Sequence, residues 1–226
     1  GTRRRARERH LRGFLPVLKD RQAREVFITI EGIDGCGKST QARLVSEYLA
    51  ERIGRDRVVW TREPGGWPGS EGLREILLSK EFSHPWSEVF LFMADRCEHV
   101  RRVIEPGLRL GCHVLCERFN DSTLAYQSWG RGLPLRSVQQ ALSIVTQPVP
   151  DKTVLIDVCP ATALDRLKKR DALDLYEKQG LEFLQRVSEG YRQLVSMDPS
   201  RFIVVNGEGT PESVFAVLRE SLEEYL

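Results

Sequence analysis

A chain of 226 residues, 41% of them hydrophobic, holds enough apolar material for one sizeable core, which makes a single compact α/β unit the expectation. Lys and Arg number 34 against 32 Asp and Glu, and the resulting charge of +2 gives no general case for nucleic acid as a partner. Apolar runs are strand-sized, well short of the roughly 20 residues that span a bilayer, and the five cysteines are scattered without a CxxC pair; a soluble cytoplasmic protein is expected, with neither a disulfide framework nor a zinc site.

Residues 1–24 read as a basic N-terminal extension, with Arg3, Arg4, Arg5, Arg7, Arg9 and Arg12 in a segment of little apolar content. Its acids, Glu8 and Asp20, do not suit an organelle-targeting leader. The folded domain is expected over residues 25–226. Residues 26–30 are β-branched and aromatic and predict a buried first strand. Residues 39–52 follow as a helix, with Ala42, Val45 and Leu49 at helical spacing and Gly54 as its stop. A second strand is predicted at 58–61, a Pro- and Gly-broken loop at 62–66, a helix from Leu73 to Ser79, and one long amphipathic helix over 86–108. Third, fourth and fifth strands are predicted at 113–116, 152–157 and 201–205. Strands alternating with helices imply an α/β fold with a five-stranded parallel sheet, whose ligands bind beyond the carboxyl ends of the strands.

Between the first strand and first helix lies Gly32-Ile33-Asp34-Gly35-Cys36-Gly37-Lys38-Ser39, a match to GxxxxGK[ST] in the right structural context, which makes the expected fold a P-loop NTPase-type three-layer α/β/α one with a five-stranded parallel sheet. Glycines there let backbone N–H groups curl around phosphate oxygens, while the helix N-terminus adds its positive end. ATP is therefore expected on residues 32–40, Thr40 included. Lys38 acts as the point charge for the β and γ phosphates, and Ser39 supplies a hydroxyl to Mg²⁺. Cys36 reads as a small space-filling residue. Transfer to a second phosphate brings two anions together and calls for arginines: Arg62, Arg74, Arg96 and Arg118 all fall near one sheet edge. Glu117 ends a strand where a carboxylate can approach Mg²⁺, with a water between. The segment 164–170 carries Arg166, Lys168, Lys169 and Arg170, and reads as the basic root of a mobile lid.

From residue 27 onward the chain resembles the thymidylate kinase family. The resemblance rests on the loop at 31–39, on Thr61-Arg62-Glu63-Pro64-Gly65-Gly66, on Leu91-Phe92-Met93-Ala94-Asp95-Arg96, and on residues 117–127, Glu117-Arg118-Phe119-Asn120-Asp121-Ser122-Thr123-Leu124-Ala125-Tyr126-Gln127. It implies ATP-dependent phosphorylation of dTMP to dTDP by a homodimer. Asp34 would engage the sugar hydroxyl; Arg62, Glu63, Pro64, Arg74 and Arg118 would build the acceptor-phosphate site. Phe92 would stack on the base, Arg96, Thr123 and Gln127 would read its edge, and Tyr126 would select deoxyribose. With no arginine in the phosphate loop, Arg170 in the lid takes the transition-state charge, as in bacterial-type members, and Lys38, Asp34 and Arg118 complete the catalytic set. Two positions depart from the family pattern: Glu117 stands where Asp is usual, and Leu175 where the lid usually has Arg. The competing readings are a kinase for another deoxynucleotide or a deoxynucleoside, or a non-catalytic ATP-binding module.

Overall fold

A computed structural model describes residues 25–144, 148–169 and 176–225. The basic extension, Arg170 and Leu175 lie outside the described residues.

Five parallel strands form one sheet in the order β2-β3-β1-β4-β5, comprising β1 (Phe27–Glu31), β2 (Val58–Arg62), β3 (His113–Glu117), β4 (Lys152–Asp157) and β5 (Phe202–Asn206). β1 is buried along its whole length, as a central parallel strand must be. Alternation along it sorts the layers. Ile28 and Ile30 face α1 (Lys38–Ile53) and α9 (Pro211–Glu223), which pack on each other and share the larger core with Val45, Leu49, Leu218 and Leu222. Phe27 joins a smaller cluster with Val100, Ile104, Val114 and Phe119 on the opposite face. Thr29 and Glu31 share the face of Phe27 and are polar: Thr29 Oγ1 lies 2.9 Å from Thr153 Oγ1, and Glu31 meets α8 (Leu181–Met197) through Tyr191. The expected three layers and five parallel strands are therefore present, and all five predicted strands are found within one residue of their expected bounds.

Helices deviate more. The predicted helix from Leu73 starts at Glu71 as α2 (Glu71–Ser79). The long helix is α3 (Pro85–His99), a π-helical turn at Val100–Ile104 and α4 (Glu105–Arg109). Pro106 has no N–H to give to the carbonyl four residues back, so the ladder shifts to the wider i→i+5 pattern, with Glu105 N donating to Val100 O. A second π-helical stretch, Leu124–Gly130, follows α5 (Asn120–Thr123) and precedes α6 (Leu135–Leu142). Of the described part of the predicted basic segment only residues 164–167, with Arg166, are helical, as the end of α7 (Pro160–Leu167), which begins four residues before the predicted 164 at a proline suited to a first helical turn; Lys168 and Lys169 follow it in a turn.

Candidate active site

All the predicted site residues that are described gather at the carboxyl ends of β1, β2 and β3, the edge that the parallel order designates. The loop after β1 owes its path to glycine. Gly35, at φ 83°, sits so close to α7 that a Cβ would lie 2.3 Å from Ala163 O; Gly37, at φ 97°, gives the left-handed turn from which α1 starts at Lys38. Cys36 is buried beneath the loop, its sulfur filling the space beside Gly32, and Ile33 is buried with it. Lys38 Nζ donates to Ile33 O at 2.9 Å and lies 3.8 Å from Asp34 Oδ1.

Asp34 is the hinge of the site. Its Oδ1 accepts a hydrogen bond from Arg118 Nη2, and its Oδ2 accepts the Tyr126 hydroxyl at 2.7 Å. Burial works against its ionisation, but Arg118, Lys38 and Tyr126 outweigh that cost and hold its carboxyl below the usual range. Burial pushes the Tyr126 hydroxyl up, so it acts as a neutral donor. Arg118 is the one described non-glycine residue with positive φ, at 65°. Its backbone is pinned on both sides: its N–H reaches Ile30 O at 3.0 Å, and the next N–H, of Phe119, reaches Glu31 Oε1 at 2.7 Å. Glu31 Oε2 also accepts the hydroxyls of Ser122 at 2.5 Å and Tyr191 at 2.9 Å. Complete burial, reinforced by Asp121, raises the Glu31 pKa to about 7.

A second buried network fixes the loop after β2, which contains a cis Glu63-Pro64 peptide. Glu63 accepts Arg96 Nε at 2.7 Å and lies 2.9 Å from His99 Nδ1, whose other nitrogen meets Thr61 Oγ1 at 2.7 Å. Asp95 receives Gly65 N at 3.0 Å and Trp67 Nε1 at 2.8 Å. Arg74 donates to Pro64 O. Arg96 Nη2 reaches Thr123 Oγ1 at 2.9 Å, which ties α3 to α5.

Two clefts meet across Asp34, Glu63, Pro64 and Arg118. One is walled by Phe92, Tyr126 and Tyr176, with Arg96, Thr123 and Gln127 at its polar end; aromatic walls with a few convergent polar groups are the lining of a small-molecule site. The other runs along Gly35, Gly37, Lys38, Ser39 and Thr40, facing Arg62 and Arg74. Among the described residues its charged walls are balanced: Lys38, Arg62, Arg74 and Arg118 are matched by Asp34, Glu63, Glu117 and Glu177. Gly32, Ile33 and Cys36 line neither cleft. Glu117, on β3, places Oε2 2.5 Å from Ser39 Oγ, while Oε1 accepts Trp60 Nε1 at 3.0 Å. No group of three His, Cys, Asp or Glu converges among the described residues. A hydroxyl and one carboxylate beside a phosphate loop fit Mg²⁺, which takes its remaining oxygens from water and phosphate rather than from an all-protein cage.

Sequence reasoning passed over Glu31, Trp60, Leu78, Ser122, Tyr176 and Glu177 as site residues. Glu31 and Ser122 fall inside motifs already singled out. Trp60 had a weaker signal: alternation puts it on the same face of β2 as Arg62, which pairs with Glu117.

A model of the thymidylate kinase family matches residues 30–217. Over 200 residues the chain is 41% identical to a thymidylate kinase of Hahella chejuensis, spanning 87% of this chain and 95% of that one. It is 42% identical over 199 residues to one from Carboxydothermus hydrogenoformans, spanning 87% and 96%. The crystal structure of a thymidylate kinase from Ehrlichia chaffeensis superposes with a TM-score of 0.75 at 33% identity, covering 89% of this chain and all of that one. A phosphate loop in its proper place, an aromatic cleft beside it, and relatives matched over nearly their full length lead to one assignment: the chain belongs to the thymidylate kinase family.

Proposed function

We propose the following division of labour for the ATP-dependent phosphorylation of dTMP to dTDP, the reaction that family membership assigns to the chain. The observation that carries it is the shared wall of Asp34 and Arg118, which joins a phosphate-binding loop to an aromatic cleft with a polar end. ATP lies along residues 32–40 with its terminal phosphates on the loop N–H groups and Lys38. Ser39 and, through a water, Glu117 would hold Mg²⁺, which would offset charge on the donor phosphates. In the other cleft the base stacks on Phe92 and the sugar meets Asp34 and Tyr126, with Tyr126 crowding the 2′ position. The acceptor phosphate lies toward Arg62, Arg74 and Arg118, near Glu63 and Pro64. That phosphate is already an anion, so no general base is needed, and the protein's task is in-line placement and charge stabilisation. Arg170, from the lid, takes part of the transition-state charge.

The functional unit is residues 25–226, to which residues 1–24 are appended, and it works in the cytoplasm. Among the described residues no helix is long and apolar enough to cross a membrane. A homodimer forms through the outer face of α3, where Phe90 is 57% exposed beside Trp86 and Ile144, an apolar patch that calls for a cover. The test is an ADP-release assay with a panel of nucleoside monophosphates on the full chain and on Lys38→Ala. Preferred turnover of dTMP, with loss of about a hundredfold or more in Lys38→Ala, is expected; full activity of Lys38→Ala would refute the mechanism.

A further inference from the structure

Two polar atoms at the inner end of the aromatic cleft, Arg96 Nη1 and Gln127 Oε1, are fully buried and have no hydrogen-bond partner among the described residues. The other nitrogens of Arg96 are committed to Glu63, Phe119 O and Thr123. Which atom Gln127 presents depends on its amide orientation, and Glu88 settles that. Glu88 lies in the first turn of α3 and is only 4% exposed. Its carboxylate accepts Gln127 Nε2 at 3.0 Å, Tyr176 Oη at 2.9 Å, and Arg131 Nε and Nη2 at 3.3 and 3.1 Å. An ionised carboxylate accepts only, so it can face the NH₂ of the amide but not its oxygen. Arg131 supplies the countercharge, and its guanidinium also covers the rings of Tyr176 and Phe183.

We infer that Glu88 is a specificity-determining positioning residue: it locks the Gln127 amide so that the cleft shows one acceptor, Gln127 Oε1, beside one donor, Arg96 Nη1. A pyrimidine with a carbonyl at C4 and a hydrogen on N3 complements that pair. A 4-amino pyrimidine with a bare N3 would set donor against donor and acceptor against acceptor, the mismatch that buried polar sites reject most strongly.

This inference rests on the assignment of the cleft to the acceptor base. Its test uses the full chain and measures kcat/KM for dTMP and for dCMP, with the KM for ATP as a control on the loop side. Glu88→Gln keeps the shape but restores a donor, letting the Gln127 amide turn over. The dTMP-to-dCMP ratio is expected to fall about tenfold or more while the ATP KM stays within about twofold. Tyr176→Phe removes one donor from Glu88 without touching its charge and is expected to lower the same ratio by about threefold. A parallel loss on both substrates, with the ratio unchanged in either soluble variant, would overturn the role of Glu88. Wild-type preference for dCMP would instead overturn the assignment of the cleft.

Discussion

The carboxylate of Glu117 is held from two sides, by the Ser39 hydroxyl and by the indole N–H of Trp60. A glutamate in place of the family's usual aspartate has one more rotatable bond, and the Trp60 contact restricts it. Removing that contact in Trp60→Phe is expected to raise the Mg²⁺ concentration for half-maximal ADP binding by about three- to tenfold, the loss of one hydrogen bond to a charged group. ADP binding without Mg²⁺ should be unchanged, and a fluorescent-ADP titration distinguishes the two; equal weakening of both would mean Trp60 only supports the fold. Glu31 makes a different prediction. Its pKa is raised from 4.5 to about 7 by burial, so between those pH values the folded protein keeps a proton that the unfolded chain has lost. The contribution of Glu31 is then unfavourable above that window, and stability should fall as pH rises through it, by on the order of a few kcal/mol. Urea denaturation of the wild type and Glu31→Gln from pH 4.5 to 7.5 checks the sign: the variant should lack this part of the slope. A carboxyl in the middle of a buried strand end is recognisable in the sequence, but its proton affinity is set by Asp121, Ser122 and Tyr191, which arrive from up to 160 positions away.

At the scale of elements, the strand, glycine loop and helix at 27–53 were legible because each is specified locally: a buried β-branched run, residues tolerant of positive φ, and helical spacing. Gly35 shows how tight that local specification is. Gly35→Ala combines a left-handed backbone with a Cβ 2.3 Å from Ala163 O, and should cost about 2–4 kcal/mol. Thermal denaturation should register the loss, together with weakened ADP binding; an unchanged melting temperature would show that the loop relaxes freely. The two π-helical stretches were not legible. The first follows from Pro106, but the second, Leu124–Gly130, owes its register to packing on α8 and has no proline within, and only Gly130 at its end, to announce it. Widened turns of this kind recur at functional sites, and here one presents Tyr126 and Gln127 to the cleft. Glu88 escaped notice for a related reason, since a glutamate in the first turn of an amphipathic helix looks like a solvated charge. Its partners Gln127, Arg131 and Tyr176 lie 39 to 88 positions on.

For the whole molecule, the apolar face around Phe90 predicts self-association. Phe90→Glu should convert a dimer to a monomer in sedimentation velocity while leaving the melting of the monomeric fold nearly unchanged; a wild type that sediments as a monomer at micromolar concentration removes the proposal. The two clefts open side by side along one edge because β1 lies between β3 and β4, so a single central strand delivers both the phosphate loop and Asp34. The four-against-four balance of charge among the described residues of the phosphate cleft has a kinetic consequence. A site that gathers polyanions with no net charge on its described walls, on a protein of formal charge +2, exerts little long-range pull on an approaching nucleotide. Capture should then depend on diffusion and local rearrangement, and the association rate constant for ADP in stopped flow should change by less than about threefold between 20 and 200 mM ionic strength, where strong steering would change it by about tenfold or more.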